Sequence, residues 1–310
     1  MAPEAGAPRR AAGAERPARR PTPQERVRAR LAARAGPEVA ARLPEGYQRL
    51  GRVLLLRLPE DLLPFGPVIG EAWREVLGAE TVLAHVGPIA GEERRPVVRL
   101  LAGGPTVTTV VEHGIRWRLD AARTMFAAGN RTERQRIAAA VGVGERVADL
   151  FAGIGYFSVP IAARGRAARL VAVERNPEAF AFLEENLAPY RDGPTRIEAI
   201  RGDNRTVPLP PYGFDRILLG YLPSADGWIP RALALAAPEG AVVHLHRVAD
   251  AREPLEASVA AATRLVRAAG GSVASGARAR EVKPYGPGRR HVVVDLTVRP
   301  PAPPPGLGSP

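Results

Sequence analysis

From residue 146 onward the chain settles into one rhythm, and that rhythm leaves few folds open. "RVADLFAG" (146–153), "RLVAVERN" (169–176), "RIEAIRGD" (196–203), "FDRILLGY" (214–221) and "GAVVHLHRVA" (240–249) are short apolar runs of strand length. Between most of them lie helical stretches: "YFSVPIAARG" (156–165), "PEAFAFLEENLAPY" (177–190) and "GWIPRALALAA" (227–237). Strands alternating with helices of this size predict a parallel, doubly wound α/β sheet with helices on both faces. A further helix over 253–270 leads to two strands about a Gly/Pro turn in 271–300, read as an antiparallel edge.

The first strand-to-helix connection is the most informative. "VADLFAGIGYFSVPIA" (147–162) carries Asp149-x-x-x-Gly153-x-Gly155. Glycines there let the backbone pass close to a ligand where a Cβ would collide. Glu174 ends the next strand about 20 residues on, where a carboxylate can accept both hydroxyls of a ribose. Asp203-Asn204 ends the third strand, in position to hydrogen-bond an adenine edge. In open α/β sheets the carboxyl ends of parallel strands form the binding crevice, so these residues converge. A nicotinamide enzyme is the competing reading. Against it, Phe157 and Ser158 follow Gly155, so the loop is not Gly-x-Gly-x-x-Gly. An acid four residues before the first glycine is typical of S-adenosylmethionine enzymes, where it approaches the amino-acid end of the cofactor.

Ahead of the repeat, 45–122 reads as a small α+β module. It contains a strand over 47–58, a helix over 66–78, and strand-like runs at 80–87, 95–103, 106–114 and 115–122. Asn130 followed by Glu133 has the spacing of a capping box, which starts a helix there and presents Arg134. The domain reading is therefore a basic, disordered tail over 1–44 with at most a short helix broken at Gly36-Pro37. The α+β module (45–122), the catalytic domain (123–299) and a proline-rich tail (300–310) follow.

The chain has no cysteine, which excludes disulfides, thiolate-bound zinc, iron–sulfur clusters and a Cys nucleophile. It has no membrane-length apolar run and no apolar signal core near its start, so a cytoplasmic protein is expected. The net charge of +12 points toward nucleic acid, but its distribution weakens the point. Ten Arg against four Glu in residues 1–44 account for half of it. Lys283 is the only lysine among 44 Lys and Arg residues, a bias expected of GC-rich coding.

"EHGIRWRLDAARTMFAAGNRTERQRIA" (112–138), "DLFAGIGYFSVPIA" (149–162), "VAVERNPEAFAFLEENL" (171–187), "GDNR" (202–205) and "LGYLPS" (219–224) share order and spacing with one family. Together they resemble the tRNA wybutosine-synthesizing aminocarboxypropyltransferases, close relatives of the tRNA guanosine methyltransferases that act beside the anticodon. The resemblance covers about 45–298. It implies a class I methyltransferase-like, Rossmann-like domain behind the small module, with S-adenosylmethionine as co-substrate and no metal. By it, Glu174 would hold the ribose, Asp203 and Asn204 the adenine, and Arg134 the methionine carboxylate. Asp149, Phe151, Gly153, Gly155 and Gly220 would complete the cofactor site. Ala127 stands where the family often has Ser, so one hydroxyl contact is missing.

"LGYLPS" matches the aminocarboxypropyl branch. The methylating relatives put a polar side chain where this chain has Gly220. Displacement at a sulfonium carbon has a good leaving group and needs chiefly in-line positioning, so a loop without acid or base suffices. Tyr221 is the candidate for positioning the acceptor. The coding bias points to a bacterial gene and so to a recruited acceptor. A phenolic hydroxyl of a small metabolite is the primary expectation, as in isonocardicin synthase and β-lactam antibiotic biosynthesis. A modified guanosine of tRNA is the alternative, and plain tRNA methylation the third reading. A non-enzymatic, S-adenosylmethionine-binding RNA-binding protein is the fourth. A phenol titrates near pH 10, so a base would help, and His85, His113, His244 and His246 are candidates.

Overall fold

A computed structural model describes residues 19–87, 91, 95–126 and 128–302. The N-terminal part begins with two helices, α1 (Pro23–Ala35) and α2 (Pro37–Ala41). A four-stranded sheet follows: β1 (Gln48–Leu50), β2 (Val53–Arg57), β3 (Thr81–His85) and β4 (Val98–Ala102), in that order. β2 and β3 run parallel, joined across one face by α3 (Gly66–Leu77); the outer pairs are antiparallel. The expected single strand over 47–58 is thus a hairpin, because Gly51 takes a φ of 54° and reverses the chain. β5 (Val107–Glu112) and β6 (Ile115–Asp120) form a separate two-stranded ribbon rather than joining that sheet.

Residues 23–41, where the sequence allows a short helix broken at Gly36-Pro37, form two helices with Gly36 between them, and they are packed. Thr22 and Glu25 make a reciprocal capping box at the start of α1, and Val27 and Leu31 are fully buried. They join Leu54, Leu56, Ile69 and Trp73 in the core of the N-terminal part. Apolar burial of about 2 kcal/mol per large side chain offsets the cost of ordering so basic a segment.

α4 (Arg131–Ala140) begins where the sequence predicts, but not by the predicted cap. Asn130 makes no side-chain cap bond, and Glu133 turns to the Arg136 guanidinium at 2.6 and 2.9 Å instead. Beyond it come β7 (Arg146–Asp149), α5 (Ser158–Arg164), β8 (Arg169–Glu174), α6 (Pro177–Leu187), β9 (Arg196–Arg201) and β10 (Arg216–Leu219). α7 (Ile229–Leu235), β11 (Ala241–Asp250), α8 (Leu255–Ala268), β12 (Ser272–Val273), β13 (Arg278–Gly286) and β14 (Arg289–Arg299) complete the chain. The large sheet runs β12-β14-β11-β10-β7-β8-β9, with β13 on β14. Strands β7 to β11 are mutually parallel, as the alternation predicts. β14 is an interior strand that contacts β11, β12 and β13, so the C-terminal pair is not simply an edge.

β2 explains why "VLLL" is apolar without alternation. Leu54 and Leu56 enter the N-terminal core, whereas Val53 and Leu55 enter the core that holds Trp117, Ile137, Val147 and Leu170. A strand buried on both faces needs apolar residues at every position. The small sheet thereby shares one apolar cluster with the C-terminal part. Among the described residues, no helix is long and apolar enough to cross a membrane.

Candidate active site

A cavity of about 1110 Å³ lies at the carboxyl ends of the parallel strands and runs up to the N-terminal sheet. Its lining includes Arg134, Phe151, Gly153, Glu174, Asp203, Asn204, Gly220 and Tyr221, so strands 20 to 90 residues apart in sequence converge on it. Ala127 lies outside the described residues.

Glu174 ends β8 with both oxygens engaged. Oε2 accepts from the Gly153 amide at 2.8 Å and Oε1 from the Asn176 amide at 2.7 Å. This ties the glycine loop to the next strand while keeping a carboxylate on the cavity wall. Gly153 has a φ of 57°, and a Cβ there would stand 2.6 Å from the Tyr156 ring. Gly155 is also required by packing. It does not line the cavity, and a Cβ there would strike Val159 at 2.5 Å and press on Leu183 at 3.2 Å.

Asp149 supports the loop itself. It lies beneath the loop, fully buried and off the cavity wall. Its carboxylate accepts from Ser158 Oγ at 2.7 Å and, more weakly, from the Phe151 amide at 3.3 Å. Burial raises its pKa to about 6 against these donors, and the Glu174 charge adds to the rise. Asp149 thus braces the glycine loop from below.

Arg134 lines the cavity but has already found a carboxylate. It is 1% exposed and grips Glu112 of β5 through Nε and Nη2 at 2.7 to 3.1 Å, under the Phe126 ring at 4.8 Å. Nothing in a separation of 22 positions announces that pairing; the ribbon topology creates it. Asn204 is likewise committed. Its amide donates to the Leu150 carbonyl, and its Oδ1 accepts from Trp228 Nε1 at 2.7 Å. Asp203 sits at the cavity rim, where the Arg205 amide closes a turn on its carboxylate at 2.9 Å.

Tyr221 stacks on Phe151 with centroids 5.3 Å apart at 26°, and Trp228 meets Phe151 edge-on at 5.0 Å. The sequence hides Trp228 inside a helical run, so only Phe151 and Tyr221 of this aromatic wall were foreseen. The histidines divide three ways. His113 occupies the β5–β6 turn with a φ of 50°, and His244 is locked between Asp295 at 2.6 Å and Arg216 at 2.7 Å. His85 and His246 line the cavity, and burial lowers the pKa of both. Among the described residues, no group of three His, Cys, Asp or Glu could hold a metal ion.

This geometry has a close counterpart. Residues 108–270 match the model of the TRM5/TYW2 methyltransferase domain, and 27–106 that of the TYW2 N-terminal domain. The chain belongs to the TRM5/TYW2 family. A Pyrococcus horikoshii family member, tRNA(Phe) (4-demethylwyosine(37)-C(7)) aminocarboxypropyltransferase, is 40% identical over 277 residues, covering 88% of this chain and 96% of that protein. The human tRNA wybutosine-synthesizing protein 2 homolog is 36% identical over 218 residues, covering 68% and 48%. The crystal structure of Pyrococcus horikoshii TYW2 in complex with MeSAdo superposes with a TM-score of 0.75 at 37% identity, covering 89% of this chain and 99% of that one. Trm5b from Pyrococcus abyssi superposes at 0.71 with 28% identity, covering 84% and 77%. The fold is the S-adenosylmethionine-dependent methyltransferase fold, as the sequence predicts. The first two family members are named for tRNA chemistry, against the expectation of a phenolic metabolite.

Proposed function

We propose that the chain transfers the 3-amino-3-carboxypropyl group of S-adenosylmethionine to C7 of a 4-demethylwyosine-type base at tRNA position 37. The observation that carries this reading is 40% identity across nearly the whole of a relative named for that reaction. It replaces the small phenol, and with it antibiotic biosynthesis, as the acceptor reading. Coding bias is no guide to the acceptor because it reshapes Arg and Lys usage across the whole chain, whatever the chain binds.

The residues present fit the co-substrate. A Cβ is barred at Gly153, Glu174 presents a carboxylate, and an aromatic wall stands opposite. S-adenosylmethionine supplies an alkyl group on a sulfonium, and methylthioadenosine, the MeSAdo of the Pyrococcus relative, is what carboxypropyl transfer leaves. In this reading Glu174 accepts the ribose hydroxyls and Asp203 the adenine amine. Asn204, spent on Leu150 and Trp228, shapes that pocket instead. Arg134 offers charge to the methionine carboxylate while Glu112 holds it in place. Phe151, Tyr221 and Trp228 exclude water and offer faces to flat rings.

Gly220 keeps the loop narrow. A Cβ there would come within 3.1 Å of Phe157, and a longer side chain would enter the cavity. Leaving that space open suits an arm longer than a methyl group. The cavity's extension to Gln48, Arg57 and His85 leaves room for a base larger than guanine and for its flanking phosphates. A tRNA acceptor also accords with the cytoplasmic setting expected of this chain.

The test is product analysis with S-adenosylmethionine labelled in the carboxypropyl arm, comparing tRNA(Phe) carrying 4-demethylwyosine with a phenolic β-lactam. Label in the tRNA and methylthioadenosine in solution are expected. Release of S-adenosylhomocysteine, or labelling of the phenol alone, sinks the reading.

A further inference from the structure

Transfer to a ring carbon that carries hydrogen cannot finish by positioning alone, because that carbon must also give up a proton. This inference rests on the carbon-acceptor reading above. The carboxylates on the cavity wall are already engaged: Glu174 by two backbone amides, Asp203 by the Arg205 amide and guanidinium. His85 belongs to the N-terminal sheet, opposite Arg57 of β2, whose charge adds to burial in lowering its pKa. His246 is bound to the 220–225 loop directly. Its carbonyl accepts from the Ala225 amide at 3.3 Å, and Arg247 beside it pairs with Ser224. Its ring lies 5.2 Å from that of Phe157, the ring that backs Gly220.

His246 and His291 are 2% and 1% exposed and face each other from β11 and β14, with Nδ1 of His246 2.9 Å from Nε2 of His291. Both line the cavity. The opposite nitrogen of His246, Nε2, is buried and has no hydrogen-bond partner among the described residues. A buried polar atom without a partner costs about 1–3 kcal/mol, which a ligand group meeting it would relieve.

We propose that His246, backed by His291, accepts the proton released by the acceptor carbon. The new carbon–carbon bond forms from a ring electron pair of the acceptor as the γ-carbon–sulfur pair withdraws onto sulfur. The ring then recovers its electron pair from the carbon–hydrogen bond, and the proton goes to Nε2 of His246. The Nδ1 proton of His246 can pass to Nε2 of His291, so the imidazole pair takes up the charge together. The charged and titratable groups around His246 are His291, His244, Asp295 and Arg136, with Lys283 on the same cavity wall. Burial first, then the neighbouring histidines, hold its pKa well below the usual imidazole range, so it is neutral and free to accept. A weak base suffices because the alkylated ring is positively charged.

The experiment is single-turnover transfer to tRNA(Phe) carrying 4-demethylwyosine, with methylthioadenosine affinity measured in parallel. H246Q is expected to slow transfer by about 100-fold while leaving methylthioadenosine affinity within about threefold. H246A is expected to regain rate with added imidazole, and deuterium at C7 to slow H246Q more than the native protein. If H246Q does not fold, H291Q decides, with an expected loss of about tenfold in rate at unchanged affinity. Native-like transfer by H246Q, or a rate that falls only in step with methylthioadenosine affinity, overturns the proposal. Native protein that transfers nothing to this tRNA overturns the acceptor reading and this inference together; active native protein with an unaffected H246Q overturns the inference alone.

Discussion

Replacing Asp149 with Asn should stabilise the protein, and more so as the pH rises. The carboxyl is fully buried, and its pKa stands at about 6 against an ordinary 3.8. The folded state therefore binds the proton more tightly than the unfolded state. Stability from this group is fully present below about pH 3.8 and is lost as pH rises through about 6. The gap of about two pH units corresponds to about 3 kcal/mol at neutral pH and above. Asn keeps one oxygen for the Phe151 amide and turns its NH2 toward Ser158 Oγ, which can accept as well as donate, and it carries no charge to bury. Thermal unfolding from pH 4 to 8 measures the difference between the two proteins, which cancels the other titrating groups. D149N should exceed the native protein by roughly 5 °C at pH 8, with the advantage fading toward pH 4. A difference that does not change with pH, or a D149N protein that is the less stable at pH 8, refutes the reasoning.

Three further outcomes follow from the same geometry. E174Q should weaken methylthioadenosine binding by at least about tenfold in calorimetry, since the Gly153 and Asn176 amides lose a charged acceptor. R134M should cost about 3 kcal/mol or less in urea unfolding, since the buried Glu112 still keeps Arg131 at 3.5 Å, and the R134M/E112L pair should recover part of that loss. W228A should lower methylthioadenosine affinity by about tenfold and loosen the Phe151–Tyr221 stack, read as altered near-ultraviolet circular dichroism.

The large sheet was legible because its strands bury both faces and its helices keep one apolar stripe, so periodicity alone separates them. Glu174 and Gly153 were legible for a similar reason: the strand-end position and the glycine each answer to local backbone geometry. What escaped were pairings between distant residues. Arg134 read as a carboxylate binder was chemically apt, but Glu112 reaches it only through the β5–β6 ribbon. His246 and His291 lie 45 residues apart and meet because β14 folds back between β11 and β13. Asp149 shows the same limit: spacing fixes where it lies along the strand end, whereas its burial and its bond to Ser158 Oγ come from the fold of the loop.

β2 also decides how the cleft can behave. Swinging the small sheet away would expose Leu50, Val53, Leu55 and Leu83, now buried against the catalytic core. At about 2 kcal/mol each, that is roughly 8 kcal/mol, enough to make a gaping form very rare. The protein is thus a fixed anvil rather than a pair of jaws. On the acceptor reading proposed above, the base must leave its stack and bend itself into the gap, so shape discrimination falls on the suppleness of the substrate's loop.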